Sequence, residues 1–222
     1  MKVFIRIFSI IFILSIFSSY NPNKDDFKTS LLFPINKILI ENAVIIDKNK
    51  LINSLNTLKG NSLFTVNKIK VKKITDKFQF ISGVSVKKIY PDTIKIKIIE
   101  KKIIAINSGN KGKFYLTNKG DSIKYSYLEY YNNLPEVIGK SKNFSSFYKN
   151  LLKINFPTDQ VKSYYYYEIG RWDIILKNDI TIKLPTKNYN ESLKNFINII
   201  NNKAFAKYKI FDYRILDQLV LN

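Results

Sequence analysis

The chain has 222 residues, of which 37 are Lys or Arg and 17 are Asp or Glu, so its net charge at pH 7 is +20. It contains no His and no Cys. These absences exclude the usual zinc, haem and iron-sulfur ligands, disulfide bonds, cysteine nucleophiles and Ser-His catalysis. Hydrophobic residues make up 45% of the chain, which is enough for folded cores in one large or two small domains.

The positive charge is a feature of many proteins that bind nucleic acid or anionic membranes. Here only Arg6, Arg171 and Arg214 are arginines, and all other basic residues are lysines. Base recognition and phosphate binding favour arginine, and the Gly-rich and aromatic signature of RNA-binding sheets is missing. We therefore interpret the charge as solvated surface lysines and expect no nucleic-acid partner.

The N-terminal residues form a long apolar run. Residues 3–20, VFIRIFSIIFILSIFSSY, are apolar except for Arg6 and a few serines. As a helix they would extend about 27 Å, close to the roughly 30 Å hydrocarbon core of a bilayer. We favour an uncleaved anchor over a cleavable signal peptide, because the end of the run lacks an Ala-x-Ala-like pair and has the bulky Phe17 instead. Under both interpretations Lys2 and Arg6 keep the N-terminus in the cytoplasm, so the rest of the chain lies across the membrane.

The polar residues 21–33 are predicted to be a linker, and regular structure is expected from residue 34. Residues 34–46 are rich in β-branched side chains and predict a strand. Asp47 is a good N-cap for an amphipathic helix that ends at Gly60. Its apolar positions, at i, i+4 and i+7, are Leu51, Leu55 and Leu58.

A second helix is predicted after Asn67, which can cap it, and a β-hairpin after that. The apolar stripe of the helix is Val71, Ile74 and Phe78. The hairpin has alternating apolar residues on both sides of the turn at 90–92, namely Val84 and Val86, then Ile94, Ile96 and Ile98. The predicted order is strand, helix, helix, strand, strand, in which the helices cover one face of the sheet.

The sequence after Lys113 predicts a region richer in strands. Residues 113–123 indicate two short strands around a turn, and residues 134–140 indicate a loop. A short helix is marked by Phe147, Leu151 and Ile154.

Strands are predicted again after Pro157. Residues 164–184 predict a hairpin with its turn at 177–179, and a helix capped by Asn190 follows. The last strand is expected at residues 208–220. It is a candidate sheet edge, whose unpaired backbone groups can accept a partner's strand.

Several short motifs occur in a fixed order along the chain. They are Val84–Lys88, Pro91–Ile94 with Glu100–Lys101, Tyr115–Gly120, Leu134–Gly139 (LPEVIG), Arg171–Asp179 (RWDIILKND) and Phe211–Arg214. Each is weak alone, but together, behind an N-terminal apolar segment, they resemble the FtsQ/DivIB family of bacterial cell-division proteins. The resemblance extends over about residues 34–220.

The resemblance implies an α+β fold with a single N-terminal transmembrane helix, a POTRA domain and a mixed β-rich domain with two helices. The expected boundaries are 1–20 for the anchor with a minimal cytoplasmic tail, 21–33 for the linker, 34–106 for the POTRA domain and 107–222 for the β domain. The POTRA domain corresponds to the predicted strand-helix-helix-strand-strand order.

The resemblance also implies a function. The protein is expected to be a non-enzymatic scaffold of the inner membrane at the division septum, with a cytoplasmic N-terminus and periplasmic domains. Its implied partners are homologues of FtsB and FtsL and, through them, the septal peptidoglycan synthase complex. No cofactor, metal or small-molecule substrate is implied. A POTRA-containing export factor that binds extended polypeptides is the alternative.

In the family the partner adds a strand beside the last strand of the β domain, so the candidate partner-binding residues lie near the C-terminus. They are Arg171, Arg214, Ile215, Leu216, Asp217, Gln218, Leu219 and Val220. The two arginines can bind partner carboxylates through paired hydrogen bonds. Alternatively, Arg214 pairs internally with Asp212 or Asp217. Trp172 and Phe211 are expected in the core, and about half of the alternating tyrosines 164–167 are expected to be exposed.

An enzymatic alternative rests on carboxylates. Glycan hydrolysis needs two carboxyl groups that face one cleft. The candidates are Glu100, Glu136, Glu168 and Asp173, but their spacing places no two of them together. We therefore expect the protein not to be an enzyme.

Overall fold

The computed structural model describes residues 7, 8, 10–15, 32–109, 112–215 and 218–222. Residues 7, 8 and 10–15 are helical, and within the described residues no helix is both long and apolar enough to cross a membrane. Much of the predicted anchor at 1–20, and the predicted linker as far as residue 31, lie outside the described residues.

Two compact units make up the chain. The first consists of the described residues up to Ala43, Asp47–Lys77 and Gly83–Ile98, and the second consists of Val44–Ile46, Phe78–Ser82 and Ile99–Asn222.

The first unit is organised on a three-stranded sheet. Its strands are β1 (Lys37–Glu41), β2 (Ile81–Ile89) and β3 (Thr93–Glu100), in the order β1-β3-β2, and β1 is parallel to β3. The strand predicted at 34–46 is therefore shorter than expected. It ends where Asn42 adopts the left-handed conformation, with φ +59°, which breaks the extended backbone.

The two predicted helices of this unit are confirmed as α1 (Lys48–Leu55, continued by a 3₁₀ turn at Asn56–Leu58) and α2 (Lys68–Thr75). The Asp47 carboxylate accepts hydrogen bonds from two free amides of the first turn of α1, and Asn67 caps α2 in the same way. The three predicted leucines are fully buried. In α2 the buried stripe is Val71 and Thr75, whereas Ile74 is only half-buried.

The second unit contains a nine-stranded mixed sheet. Its strands are β4 (Ile103–Gly109), β5 (Gly112–Thr117), β6 (Ser122–Lys124), β7 (Glu136–Ile138), β8 (Val161–Tyr167), β9 (Arg171–Leu176), β10 (Thr181–Lys183), β11 (Ile210–Asp212) and β12 (Val220–Leu221). Across the sheet they follow the order β12-β11-β10-β9-β8-β7-β4-β5-β6. The two helices are α3 (Phe144–Lys153) and α4 (Tyr189–Ile199).

The centre of this sheet corrects the prediction of a loop at 134–140. The segment contains β7, which is parallel to both of its neighbours, β4 and β8. Gly139 ends the strand with φ +97°, and a Cβ at this position would overlap the carbonyl oxygen of Tyr166. The Asn107 side chain donates hydrogen bonds to the carbonyl oxygens of Val137 (3.0 Å) and Gly139 (3.1 Å), which fixes β7 against β4.

An aromatic cluster fills the core of the second unit. Trp172 and Phe211 are buried as predicted, and the Trp172 ring stacks on Phe147 of α3 with centroids 4.7 Å apart. Of the tyrosines at 164–167, the first is buried, the middle two are half-buried and Tyr167 is exposed. Both helices contribute side chains to this core.

The N-cap predicted for α4 is wrong by two residues. The helix begins at Tyr189, so Asn190 lies inside its first turn. The cap position is taken by Asn188, which adopts φ +56° and makes no side-chain capping bond. Asparagine tolerates this left-handed conformation better than most residues, which explains its use at the boundary.

Candidate partner-binding edge

The C-terminal segment forms one edge of the nine-stranded sheet. It was predicted as one strand over residues 208–220, and this is wrong: β11 and β12 are separate strands that pair antiparallel. Between them the chain turns, and the Gln218 amide donates to the carbonyl oxygen of Ile215 at 3.3 Å. Two of the predicted partner-binding residues, Leu216 and Asp217, lie outside the described residues.

The hydrogen bonds of β12 determine which of its backbone groups face outward. Ile210 and Asn222 exchange two bonds, of 2.8 Å and 3.1 Å, so they form a hydrogen-bonded pair. In an antiparallel ladder such pairs alternate with non-hydrogen-bonded pairs. Leu221 is therefore in a non-hydrogen-bonded position, and its N–H and C=O point away from β11. In the sheet of the described residues β12 is the terminal strand, so these two groups lie on an open edge.

Apolar side chains and a groove lie beside this edge. Ile215 and Val220 are exposed, and Leu219 is half-buried against the core. A groove of about 350 Å³ lies between α4 and the C-terminal segment, lined in part by Ile215, Gln218 and Leu219. At its wall the Tyr213 hydroxyl donates to Asn195 at 2.9 Å, and burial raises the pKa of Tyr213.

Arg214 takes the internal pairing that the sequence left as the alternative. Its Nε lies 2.8 Å and 2.9 Å from the two carboxylate oxygens of Asp212, and its Nη2 lies 2.6 Å from Oδ2. These bonds hold the pKa of Asp212 below its ordinary value. The Arg214 side chain is nevertheless 46% exposed, so one side of it stays accessible.

Arg171 is held more deeply. Its Nε lies 3.2 Å from Asp173 Oδ1, and its guanidinium lies 4.1 Å from the centre of the Tyr167 ring. Only 15% of the Arg171 side chain is exposed. Burial raises the pKa of Asp173, although the positive charge of Arg171 opposes this. Arg171 is thus fixed by an ion pair and a ring contact, which leaves it little freedom to move.

A charged row connects the two arginines. Asp173 of β9 is the direct neighbour of Lys183 of β10, which is the neighbour of Asp212 of β11. Directly paired residues share one face of a sheet. Arg171 and Arg214, each two residues from an aspartate of the row, therefore lie on this same face. Val220 pairs with Asp212, so the charged row reaches the open edge.

Comparisons with known proteins match this architecture in two parts. A family model described as "POTRA domain, FtsQ-type" matches residues 33–101, and one described as "Cell division protein FtsQ/DivIB, C-terminal" matches residues 104–214. The chain is 32% identical over 191 residues to cell division protein FtsQ of Rickettsia bellii, and 30% identical to those of Rickettsia conorii and Rickettsia felis. Each alignment covers 84% of this chain and 71% of the relative.

The chain belongs to the FtsQ/DivIB family of cell division proteins. The predicted α+β fold, with a POTRA domain and a β-rich domain, is confirmed. The match to the FtsQ/DivIB C-terminal model ends at Arg214. Residues 215–222, which contain β12, lie beyond the residues that this family model matches.

Three of the four carboxylates considered for catalysis, Glu100, Glu168 and Asp173, are engaged by separate groups in this FtsQ/DivIB protein. Glu100 accepts hydrogen bonds from the amides of Val44 and Ile45, both at 2.9 Å. Glu168 pairs with Lys140, and Asp173 pairs with Arg171. Among the described residues, no group of three or more acidic side chains is placed to hold a metal ion.

The sequence reasoning missed part of this FtsQ/DivIB edge. Asp173, Lys183 and Asp212 were not recognised as neighbours, because three strands bring them together and their register is not visible in the sequence. The residues of α4 that line the groove, such as Asn195, were also missed. Arg171 and Arg214, which the rarity of arginine singled out, flank the charged row, and their role in partner binding stays a prediction.

Asp212→Asn is expected to make the stability of the β domain less sensitive to acid. The Asp212 pKa is lowered by folding, so its carboxylate stabilises the folded state above the ordinary aspartate pKa, and this contribution is lost as pH falls through the lower folded pKa. Below about pH 4 the free energy of unfolding of the wild type should therefore fall more steeply with decreasing pH than that of the variant. The difference in slope corresponds to at most about one additional proton bound by the unfolded wild type.

Urea unfolding between pH 6 and pH 3, followed by fluorescence of the single tryptophan, Trp172, measures this difference. The raised pKa of Asp173 acts in the opposite direction but is present in both proteins, so it cancels in the comparison. The exposed Asp159 supplies the control variant, Asp159→Asn, which should follow the wild type. Identical pH profiles for wild type and Asp212→Asn would show that the Arg214 pairing does not contribute to stability.

Proposed function

We propose that this FtsQ/DivIB protein is a scaffold of the division machinery that captures a partner by adding the partner's strand to β12. The partners are homologues of FtsB and FtsL and, through them, the septal peptidoglycan synthase complex. The chain acts from the inner membrane at the septum, with residues 1–20 as the anchor, residues 21–33 as a linker, and a POTRA domain (34–106) and a β domain (107–222) in the periplasm. This role requires binding and no catalysis.

The open backbone edge of β12 carries the proposal. The outward N–H and C=O of Leu221 offer one donor and one acceptor to an extended peptide, which is how strand addition gains its affinity. The strand is short, so further contacts must contribute. The exposed side chains of Ile215 and Val220 and the adjacent groove supply apolar area next to the same edge.

The charged row supports a partner that carries acidic residues. A strand added to β12 lies beside Val220, on the side of the sheet where Arg214 and Arg171 are also found. Arg214 is already oriented by Asp212, and its exposed side can donate hydrogen bonds to a second carboxylate. Arg171 is mostly buried, so it contributes chiefly through its positive charge and by fixing the position of Tyr167.

Co-purification from detergent extracts tests the scaffold role. The tagged full chain should retain the FtsB and FtsL homologues of its cell, and a chain that ends at Tyr213 should lose them. Retention by both forms would place the interface elsewhere. If the full chain instead retains many unrelated exported proteins, the alternative of an export factor for extended polypeptides is correct.

A further inference from the structure

Three aromatic side chains of the first unit form an exposed group, here called the aromatic triad: Phe33, Phe64 and Tyr90. Their ring centroids lie 5.4 Å (Phe33–Phe64), 5.2 Å (Phe33–Tyr90) and 5.8 Å (Phe64–Tyr90) apart. The exposed fractions of the three residues are 39%, 55% and 52%, respectively. In the other ring pairs of the described residues, at least one partner is buried or half-buried. The aromatic triad is therefore a partly exposed apolar surface.

Hydrogen bonds join the segment that contains Phe33 to the segment that precedes Phe64. The Leu63 amide donates to the carbonyl oxygen of Phe33 at 2.9 Å, and the Ser62 hydroxyl donates to Leu32 at 2.6 Å. Phe33 itself adopts φ +54°, a conformation that a bulky residue rarely takes. Strained backbone of this kind is often found at binding sites, which makes this ring a candidate for a binding role.

The position of the aromatic triad in the chain indicates what covers it. Phe33 follows the mostly polar residues 21–32, which separate it from the predicted anchor at 3–20. These twelve residues extend at most roughly 45 Å, so Phe33 lies within about that distance of the predicted anchor. Tyrosine and other aromatic residues are favoured at the membrane-water interface, where the ring is partly apolar and the hydroxyl stays hydrated.

The charges beside the aromatic triad fit the same surface. The Lys88 ammonium lies 3.3 Å from the carbonyl oxygen of Phe64, so a positive charge adjoins the rings. Lysine near the bilayer is attracted by anionic headgroups. The carboxylate of Asp92, two residues after Tyr90 in the turn, opposes part of this attraction, and it accepts a hydrogen bond from the Thr93 hydroxyl at 2.8 Å.

We propose that Phe33, Phe64 and Tyr90 rest on the outer surface of the membrane that holds the predicted anchor, with their rings among the lipid headgroups. Contact with the bilayer would fix the orientation of the first unit relative to the membrane. The proposal rests on the predicted anchor and is independent of partner capture at β12.

Spin labels can test this contact directly, because the chain contains no cysteine. Thr65→Cys places a label next to Phe64 and leaves all three rings intact. Lys97→Cys places the control label on β3, about 14 Å along the strand from Thr93. The full chain is reconstituted in nanodiscs of phosphatidylcholine and phosphatidylglycerol that hold one copy each. We expect the ratio of oxygen to nickel-chelate accessibility to be several-fold higher for the label at 65 than for the label at 97.

Paired substitutions assign the effect to the rings. Phe64→Ser combined with Tyr90→Ser should reduce the ratio at position 65 to that of the control label. Tyr127→Ser combined with Tyr130→Ser removes two more highly exposed rings from the other unit and should leave the ratio at position 65 unchanged. Equal ratios for both labels in the wild type would overturn the proposal. A raised accessibility ratio at position 65 that appears only in discs with two copies would also overturn it, because the triad would then be a contact between chains.

Discussion

Leu221→Pro is expected to weaken binding of the proposed partner, the FtsB homologue, by about two- to twelvefold more than Leu221→Ala does. Proline removes the outward N–H of β12, and the loss of one backbone hydrogen bond corresponds to roughly 0.5–1.5 kcal/mol. Because position 221 donates no bond to β11, proline leaves the pairing of Ile210 with Asn222 intact. The change therefore removes a binding group without opening the sheet.

Affinity measured by calorimetry or surface plasmon resonance, with the purified chain and partner, decides this prediction. Leu221→Ala is the matched control, because it removes the half-buried side chain but keeps the N–H. If alanine and proline weaken binding equally, the partner recognises the side chain and not the backbone. If the Leu221→Pro variant binds the partner as tightly as the wild type, the proposal of strand addition at β12 is wrong.

Gly139→Ala is expected to lower the free energy of unfolding of the second unit by about 2–5 kcal/mol. A non-glycine residue at φ +97° is strained by about 1–2 kcal/mol, and overlap of the new Cβ with the Tyr166 carbonyl oxygen adds roughly 1–3 kcal/mol. That carbonyl belongs to β8, which pairs with β7, so relief of the overlap would separate two central strands.

Gly170→Ala is the control that measures the backbone strain at positive φ without the steric overlap. Gly170 adopts φ +89°, but a Cβ there has no neighbour within 4 Å, so we expect a loss of only about 1–2 kcal/mol. Urea unfolding followed by Trp172 fluorescence reports on the same core in both variants. Equal losses in the two variants would show that the Tyr166 contact is not limiting.

The sequence predicts the first unit well because its signals are local. Asp47 and Asn67 cap their helices as expected, although the first helix ends at Leu55 and its 3₁₀ turn at Leu58, before the predicted end at Gly60. The alternation of apolar residues from Val84 to Ile98 identifies the hairpin correctly. Each of these features depends on residues close together in the chain, so a single sequence contains the information needed.

The second unit is harder to predict because its central strands are short and pair with distant residues. β7 has three residues between Pro135 and Gly139, which are typical of a loop. Its strand conformation depends on β4 and β8, which lie some 25 to 30 residues away in sequence. The same limit applies to the C-terminal edge, where the turn between β11 and β12 replaces a predicted continuous strand.

Hydrogen exchange of single amides, in the free chain and with the proposed partner, the FtsB homologue, tests the central claim most directly. The account predicts that partner binding slows exchange of the Leu221 amide at least tenfold, while the Asn222 amide, already bonded to Ile210, changes little. Protection of other strands, with the Leu221 amide exchanging as fast as in the free chain, would contradict strand addition at β12.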